Sequence, residues 1–309
     1  MIPTSEGYAQ VLGFRLFYRS FGDPSCPVVL GLHGGPGATH DYLIPFSDLA
    51  GHGYRVVLFD QLGCGRSDVP EDHSLFTLGH NVEETEGLRA ALGLGKIHLI
   101  GSSYGGLLAL AYALRFPTHL RSLITVGGLA SVPFASQEMQ RLKGTLPREV
   151  QATLDEYERR GELQAPQYLA AVESFYRQFL CRLETWPPEL QYSLEMTQKR
   201  PVYPEMNGPN EFTITGSMRD IDLSPQLHSI GVPTLVLGGR YDEVTPRVAE
   251  QIRQGIPGAH RVEFEQSSHV PFWEERDRFR SVVVEFLRSV DHPFRTRQTS
   301  GRDGPVGRS

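Results

Sequence analysis

Short runs of apolar residues recur along the chain, and several of them are apolar at every position instead of alternating with polar residues. An unbroken short apolar run is typical of a strand that is covered on both faces of a sheet. Stretches that read as helices lie between these runs. The predicted strands are 14–18, 28–32, 55–59, 96–100, 120–126, 233–237 and 261–264, and the predicted helices are 81–92, 104–116, 246–254 and 276–290.

Strands that alternate with helices indicate an α/β fold with a mostly parallel central sheet and helices on both faces. We expect Asn81 to cap the first helix, with Glu83, Glu84 and Glu86 near the positive end of its dipole. No repeat interrupts the body of the chain.

Residues 130–220 break this alternation, because helix-forming and aromatic residues dominate there and strand-like runs are nearly absent. We predict a helical cap, 130–220, inserted between a first part of the core, 1–129, and a second part, 221–292. Residues 293–309 are polar and glycine-rich, and we predict that they are disordered. Aromatic residues of the cap are expected in its own core more often than around a ligand: Phe175, Tyr176, Phe179, Trp186 and Tyr203.

Charge and composition exclude several classes of partner. The formal charge of −6 gives no reason to expect nucleic acid or an anionic membrane surface. No stretch approaches the ~20 apolar residues that cross a bilayer, and the first residues show no secretory signal. The three cysteines, Cys26, Cys64 and Cys181, are widely spread and fit free thiols in a reducing cytoplasm better than disulfides or a metal site. The sequence does not fix the oligomeric state, and a monomer is compatible with it.

The most informative motif is Gly101-Ser102-Ser103-Tyr104-Gly105, which joins an apolar strand to an apolar helix. A serine on such a turn is lifted clear of the sheet and placed at a helix N-terminus, where negative charge is favoured. We therefore predict that Ser103 is a nucleophile.

A serine nucleophile needs a base, and the base needs an acid to orient it. Asp242 and His269 each follow an apolar strand, in the chain order that this arrangement requires. Because ligand sites lie beyond the carboxyl ends of parallel strands, the three side chains can converge there. The fallback acids are Asp220, Asp222 and Glu243, and the weaker candidate bases are His33, His98 and His260.

A negatively charged oxygen needs hydrogen-bond donors, and His33-Gly34-Gly35-Pro36-Gly37 follows a predicted strand at the position of an oxyanion loop. The backbone N–H groups of Gly35 and Tyr104 are the predicted donors. We expect His33 to be a structural hydrogen-bonding residue of that loop.

These motifs resemble the proline iminopeptidase family, serine aminopeptidases of the α/β-hydrolase fold, over residues 10 to 290. The resemblance is closest to the branch that includes the tricorn-interacting aminopeptidase and amino-acid amidases. It implies that Glu211 and Glu243 hold the free amino terminus of the substrate. The residues that carry it are His33–Gly37, Asp60–Ser67, Gly101–Gly106, Met206–Phe212 and the loops at Asp242 and His269.

Two carboxylates without a cationic partner suit this task, because an internal peptide amide cannot satisfy them and an ammonium can. We expect a cytoplasmic serine exopeptidase that releases an N-terminal residue, preferably proline, from short peptides, amides or arylamides. It should need no metal and no organic cofactor. The alternatives are an amino-acid amidase or esterase with the same triad and, more remotely, a non-catalytic receptor with an α/β-hydrolase pocket.

Overall fold

Eight strands form one central sheet in a computed structural model that describes residues 3–293 of the chain. The predicted disordered tail lies outside the described residues except for Pro293. The seven predicted strands are confirmed to within a few residues, and one further strand precedes them. The strands are β1 (Ser5–Val11), β2 (Phe14–Phe21), β3 (Val28–Leu32), β4 (Arg55–Phe59), β5 (Ile97–Ser102), β6 (Leu120–Val126), β7 (Thr234–Gly239) and β8 (His260–Phe264).

The strand order across the sheet is β1-β2-β4-β3-β5-β6-β7-β8. The pairs β1–β2 and β2–β4 are antiparallel, and every pair from β4 through β8 is parallel. The mostly parallel sheet predicted from the sequence is therefore confirmed. β5 lies in its middle, so the turn after β5 opens at the centre of the carboxyl-end edge.

Helices cover both faces of the sheet. On one face lie α1 (Leu78–Ala91), α2 (Tyr104–Arg115) and α8 (Pro246–Gly255); on the other lie a 3-10 helical stretch, His40–His52, and α10 (Arg276–Asp291). Neighbouring residues of one strand serve opposite faces: Leu99 packs into one apolar cluster and Ile100 into the other. This two-sided burial explains why the strands are apolar at consecutive positions.

Five helices lie between β6 and β7, and none of their residues joins the sheet. A buried carboxylate ties the first of them to the core: Glu138 accepts hydrogen bonds from Thr245 Oγ1 at 2.9 Å and from Arg247 Nη1 at 2.6 Å. The inserted helices are α3 (Val132–Lys143), α4 (Arg148–Arg160), α5 (Pro166–Phe179), α6 (Pro188–Lys199) and α7 (Val202–Met206), and a short α9 (Pro271–Glu274) follows β8.

The predicted start of α1 is wrong. The helix begins at Leu78, and the side chain of Thr77 caps it by accepting a hydrogen bond from the backbone N–H of His80 at 3.2 Å. Asn81 lies one turn inside the helix, buried, where its side chain serves another partner. Thr and Asn are both good caps, so local preference alone could not choose between them.

Within residues 3–293, no helix combines the length and apolar character that a bilayer crossing requires. Cys26, Cys64 and Cys181 are free thiols. Cys64 is fully buried, and burial raises the pKa of its thiol well above the usual value, so it lacks the thiolate character of a reactive cysteine.

Candidate active site

Ser103 occupies the sharp turn between β5 and α2. Its backbone has φ 57° and ψ −125°, and only one other non-glycine residue among those described, Leu12, has a positive φ. Such a conformation is strained for a residue with a side chain, and in enzymes such strain is often found where a group must be presented for reaction. The turn places Ser103 at the N-terminus of α2, where the helix dipole favours negative charge.

The two glycines of the motif are required by close packing of backbone. A Cβ at Gly101 would overlap the carbonyl of Gly105, and a Cβ at Gly105 would overlap the carbonyl of Leu32. The turn can therefore fold back on its own strand and pass beside β3 only because both positions lack a side chain.

Asp242 and His269 form a short hydrogen bond, 2.6 Å between Asp242 Oδ1 and His269 Nδ1. The same carboxylate oxygen accepts from the backbone N–H of Val244 at 2.8 Å. Both side chains are buried, Asp242 after β7 and His269 after β8. The acid is thus fixed by its own loop and in turn orients the imidazole, leaving Nε2 for another partner.

Gly127 makes room for this pair and was not singled out in the sequence. Its φ is +54°, and a Cβ there would approach His269 Nδ1 to 2.7 Å and Asp242 Oδ2 to 2.9 Å. It follows β6, the strand between β5 and β7, so a side chain here would intrude between the nucleophile turn and the pair.

Two glutamates, one at the end of α9 and one immediately before α10, fix the loop that carries His269. Glu274 accepts from the backbone N–H of Ser268 at 2.7 Å and from its hydroxyl at 2.8 Å. Glu275 accepts from Ser267 Oγ at 2.6 Å and from the backbone N–H of Gln266 at 3.0 Å. The base is therefore held by four hydrogen bonds to its loop besides its own bond to Asp242.

Ser103, His269, Gly35, Glu211 and Glu243 all line one small cavity of about 50 Å³. Within residues 3–293, the Ser103 side chain makes no hydrogen bond to His269. Enzymes without substrate often show this separation, because the nucleophile–base bond closes when substrate binds.

The structure places none of the other candidate bases, nor Asp220 or Asp222, among the residues that line this cavity. Asp220 pairs with Arg219 on the surface, and Asp222 accepts from the backbone and hydroxyl of Ser224. His98 lies near Asp291, 3.3 Å away, at the opposite end of β5. His260 is exposed at the start of β8.

Hydrogen bonds to the Gly34 carbonyl fix the orientation of the peptide between Gly34 and Gly35. The Gly34 carbonyl is 3.0 Å from His33 Nδ1 and accepts from the backbone N–H of Ala38 at 3.2 Å. Because the N–H and C=O of a trans peptide point in opposite directions, the Gly35 N–H points away from these partners. Within residues 3–293, neither Gly35 N–H nor Tyr104 N–H has a hydrogen-bond partner, so both are available as donors.

A chain of buried hydrogen bonds supports this loop, and the sequence did not reveal it. Gln61 N–H donates to His33 Nε2 at 3.0 Å, so this nitrogen carries no proton and Nδ1 is the donor to Gly34. Burial lowers the pKa of His33 and favours this neutral form. Asn81 Nδ2 donates to the Gln61 side chain at 2.8 Å, and Gln61 Nε2 donates to the His33 carbonyl at 2.9 Å.

Glu243 is buried with an unusual lack of partners. Within residues 3–293 its Oε2 has no hydrogen-bond partner, and its Oε1 lies 3.8 Å from His269 Nε2. Burial raises the pKa of this carboxyl well above its usual value. A buried carboxylate oxygen without a donor costs free energy, so the site is suited to a ligand that brings one.

Glu211 lies across the cavity after α7, partly buried, and burial also raises its pKa. Tyr203 donates its hydroxyl to Glu211 at 2.7 Å. Of the aromatic residues expected more often in the core than around a ligand, Tyr203 and Tyr176 line the cavity, and Phe175 lies in the apolar core. Which of these aromatic residues faces the cavity depends on the direction of its side chain in the fold, and amino-acid composition gives no information about that direction.

The acids determine the charge state of His269. Burial by itself would lower the pKa of the imidazole, but Asp242, followed by Glu243 and Glu211, raises it to about 9. Without a ligand the imidazole therefore holds its proton at neutral pH.

A further cluster, His40, Asp41 and Asp60, has a spacing compatible with a metal ion. Asp60 already accepts from the backbone N–H and Nδ1 of His40, both at 2.8 Å, and from the backbone N–H of Arg66 at 3.0 Å. Burial alone would raise the pKa of Asp60, but these donors hold it at about 2. The cluster fastens the loop after β4 to the 3-10 helical stretch.

Comparison with known proteins agrees with this architecture. Residues 27–276 match the family described as α/β hydrolase fold. The chain is 46% identical over 291 residues to a proline iminopeptidase of Saccharolobus solfataricus, covering 94% of each protein. It is 44% identical to a proline iminopeptidase of Thermoplasma volcanium, covering 91% of this chain and 96% of that protein.

Solved structures show the same relationship. The crystal structure of VinJ superposes with a TM-score of 0.91 at 37% identity, covering 94% of this chain and all of that one. A proline iminopeptidase from Mycobacterium smegmatis superposes with a TM-score of 0.86 at 32% identity, covering 93% and 99%. The chain therefore belongs to the α/β-hydrolase family and, within it, to the proline iminopeptidases.

Proposed function

We propose that this chain is a serine exopeptidase that releases N-terminal proline from peptides by way of an acyl-enzyme. The observation that carries the proposal is the joint lining of one small cavity by Ser103, the hydrogen-bonded His269 and the two acids Glu211 and Glu243. The relatives named proline iminopeptidase support the choice of substrate.

The first half of the reaction transfers the prolyl group to the enzyme. Ser103 Oγ attacks the scissile carbonyl carbon while His269 Nε2 takes its proton, and Asp242 stabilises the imidazolium. The carbonyl electrons move onto oxygen, which accepts hydrogen bonds from the N–H groups of Gly35 and Tyr104. When the tetrahedral intermediate collapses, the C–N bond breaks and His269 returns the proton to the leaving amine.

The second half uses water in place of Ser103. His269 removes a proton from the water, the oxygen attacks the acyl carbon, and the ester bond to Ser103 breaks with its proton restored. Free proline leaves, and the enzyme returns to its starting state. These steps use protein groups and water, and the proposal requires no metal or organic cofactor.

Glu211 and Glu243 distinguish a chain end from a chain interior. A prolyl ammonium carries two N–H donors, and the cavity offers two carboxylates whose ionised forms burial disfavours and a neighbouring cation favours. An acetylated terminus brings no charge and leaves both acids uncompensated. The two acids therefore favour a substrate whose free amino terminus binds between them while its first carbonyl lies at Ser103.

The same ammonium assists the base. The nearby acids hold a proton on His269, which prevents it from accepting one from Ser103. A cation bound between Glu211 and Glu243 repels the positive charge of a protonated His269. It therefore lowers the pKa of the imidazole and favours its neutral form. Substrate binding therefore prepares the base, and this coupling adds to the selectivity for free amines.

We further propose that residues 130–220 act as a cap, between core parts 1–129 and 221–292, that excludes folded proteins from the cavity. Glu211 and Tyr203 come from it, and the backbone N–H of Glu243 donates to the carbonyl of Phe179 on α5 at 3.1 Å. Short peptides and amino-acid amides are the expected substrates, and a cytoplasmic location stays a prediction.

A panel of amino-acyl arylamides, each free and N-acetylated, tests the proposal. We expect free prolyl arylamide to be the best substrate and its acetylated form to be essentially inert. Ser103→Ala should retain the fold by circular dichroism and lose turnover by at least about a thousandfold. Turnover by Ser103→Ala at the wild-type rate would refute the nucleophile assignment, and equal rates on acetylated and free substrates would refute the role of the acids.

A further inference from the structure

A wide groove lies between α5 and α6, with a volume of about 710 Å³. It shares part of its wall with the much smaller active-site cavity, so the two spaces adjoin. Pro209 and Asn210 line the groove and the next residue, Glu211, lines the cavity. The residues that line both are Tyr176, Leu194, Thr197 and Gln198.

The groove walls mix apolar and polar side chains, with an acidic balance. Leu169 is 48% exposed there and is one of the few large apolar side chains that are exposed among residues 3–293. Arg177 is paired with Glu173 at 3.1 Å, and Glu195 is paired with Lys199 at 3.1 Å. Glu184 forms no ion pair within residues 3–293 and gives the wall its excess of negative charge. The other apolar and aromatic residues of the wall are Leu163, Tyr168, Val172 and Trp186.

We infer that this groove binds the part of the substrate that follows the scissile bond, roughly the second to fourth residues of a peptide. The inference rests on the proposed function. A cavity of about 50 Å³ that fixes the amino terminus can hold little beyond the first residue. The rest of the peptide must leave the cavity, and the groove is the large space that adjoins it.

The wall composition specifies the preferred sequence. Leu169 and Trp186 offer apolar contact to leucine or phenylalanine side chains of the leaving peptide. The acidic balance of the groove repels aspartate and glutamate at the same positions. The preferred substrates are therefore peptides of three or more residues with apolar, non-acidic residues after the first.

The experiment compares kcat/KM for Pro-Leu-Leu-Gly, Pro-Glu-Glu-Gly and proline amide. For the wild type we expect the order leucine peptide, proline amide, glutamate peptide. Leu169→Glu should lower the ratio of kcat/KM for the leucine peptide to that for proline amide by about tenfold. Val69→Glu, which changes an exposed aliphatic residue of a core loop, is the matched control and should leave this ratio unchanged.

Proline amide separates the two proposals. If the wild type releases proline from neither the peptides nor proline amide, the proposed function fails; if proline amide is cleaved but the Leu169→Glu ratio equals that of Val69→Glu, only the groove assignment fails. A change in Leu169→Glu confined to the preference for the first residue would also overturn the inference, because the groove would then hold that residue's side chain. Circular dichroism and unfolding of both variants exclude a general loss of structure.

Discussion

In the proposed mechanism Glu243 joins substrate recognition to catalysis, because one carboxylate faces both the cavity and the imidazole of His269. Its Oε1 lies 3.8 Å from His269 Nε2, and its Oε2 has no hydrogen-bond partner within residues 3–293. The residue next to it, Asp242, holds the other nitrogen of the same ring. The two consecutive acids thus lie beside the two nitrogens of one imidazole, and in the proposed mechanism Glu243 is the one that binds the substrate amine.

The substitution Glu243→Gln tests this dual role through pH. The imidazole acts as a base when deprotonated, so activity rises as the pH increases through its pKa, about 9 in the wild type without ligand. Removing a nearby negative charge lowers that pKa. We therefore expect the acid limb of kcat/KM for an N-acetylated prolyl ester to move to lower pH by about one unit.

With a free-amine substrate, Glu243→Gln should lower kcat/KM by about a hundredfold, since a buried carboxylate–ammonium contact is lost. Glu265→Gln, an exposed acid in the loop that leads to His269, is the control and should change neither quantity. An unshifted acid limb in Glu243→Gln would mean that the carboxylate does not act on His269.

Individual site residues could be predicted from the sequence where residue type, position after a strand and order along the chain all agreed. Ser103, Asp242 and His269 could be chosen because each follows an apolar strand in a required order. The role of Asn81 could not be predicted, because it depends on a hydrogen bond to Gln61, which is distant in sequence and adjacent only in the fold. For the same reason Gly127 carried no signal of its own.

The strand–turn–helix around Ser103 is the element on which the site depends, and its glycines differ in what they permit. Gly105, the second residue of α2, packs against the Leu32 carbonyl and leaves no room for a methyl group. Gly79, the second residue of α1, is exposed and has no neighbouring atom within 4 Å of the position that a methyl group would take. Both glycines occupy the same place in the first turn of a helix, but Gly105 is tightly packed and Gly79 faces open space.

We expect Gly105→Ala to destabilise the protein by at least about 3 kcal/mol, because backbone on β3 must move. Gly79→Ala should stabilise it by about 0.5–1 kcal/mol, since alanine loses less backbone entropy in a helix than glycine. Urea unfolding followed by circular dichroism measures both. Equal stabilities for the two variants would contradict the packing argument.

At the level of elements, the buried strands and the edge strand β8 were predictable, whereas β1 and the 3-10 helical stretch His40–His52 were not. The strands β3 and β5 are buried at every position, and β6 at every position except Arg121, because both faces are covered. β1 is one of the two edge strands, with Ser5, Glu6 and Tyr8 exposed, and only pairing with β2 makes it a strand. The 3-10 helical stretch His40–His52 contains Pro45, and its apolar residues follow no simple period. No pattern in the sequence therefore indicated a helix there.

Across the whole molecule, one buried acid makes stability depend on pH. Glu84 on α1 accepts from the backbone N–H of Leu62, at 3.2 and 3.1 Å to its two oxygens, and so joins the helix to the loop after β4. Burial raises the pKa of Glu84 to about 8. The folded protein therefore favours the neutral acid, and its contribution to stability is full below the ordinary pKa of 4.5 and is lost as the pH rises to about 8.

Glu84→Gln removes this titration and keeps an acceptor for Leu62. Relative to wild type, we expect little change in the free energy of unfolding at pH 5 and a gain on the order of 3 kcal/mol at pH 8.5. Glu83→Gln, the exposed neighbour on α1, should be nearly neutral at both values. A wild-type–mutant difference that does not vary with pH would show that Glu84 does not titrate in this range.

The sequence by itself determined the α/β class and the placement of Ser103, Asp242 and His269 after three strands, because local hydrogen bonding and two-sided burial are encoded in short segments. The tertiary structure alone decided which groups face the cavity and what charge they carry. Tyr203 reaches Glu211, Asn81 supports the Gly34–Gly35 peptide, and three acids raise the pKa of His269. These effects depend on distances between residues far apart in the chain and on removal from water, which exist only once the chain has folded.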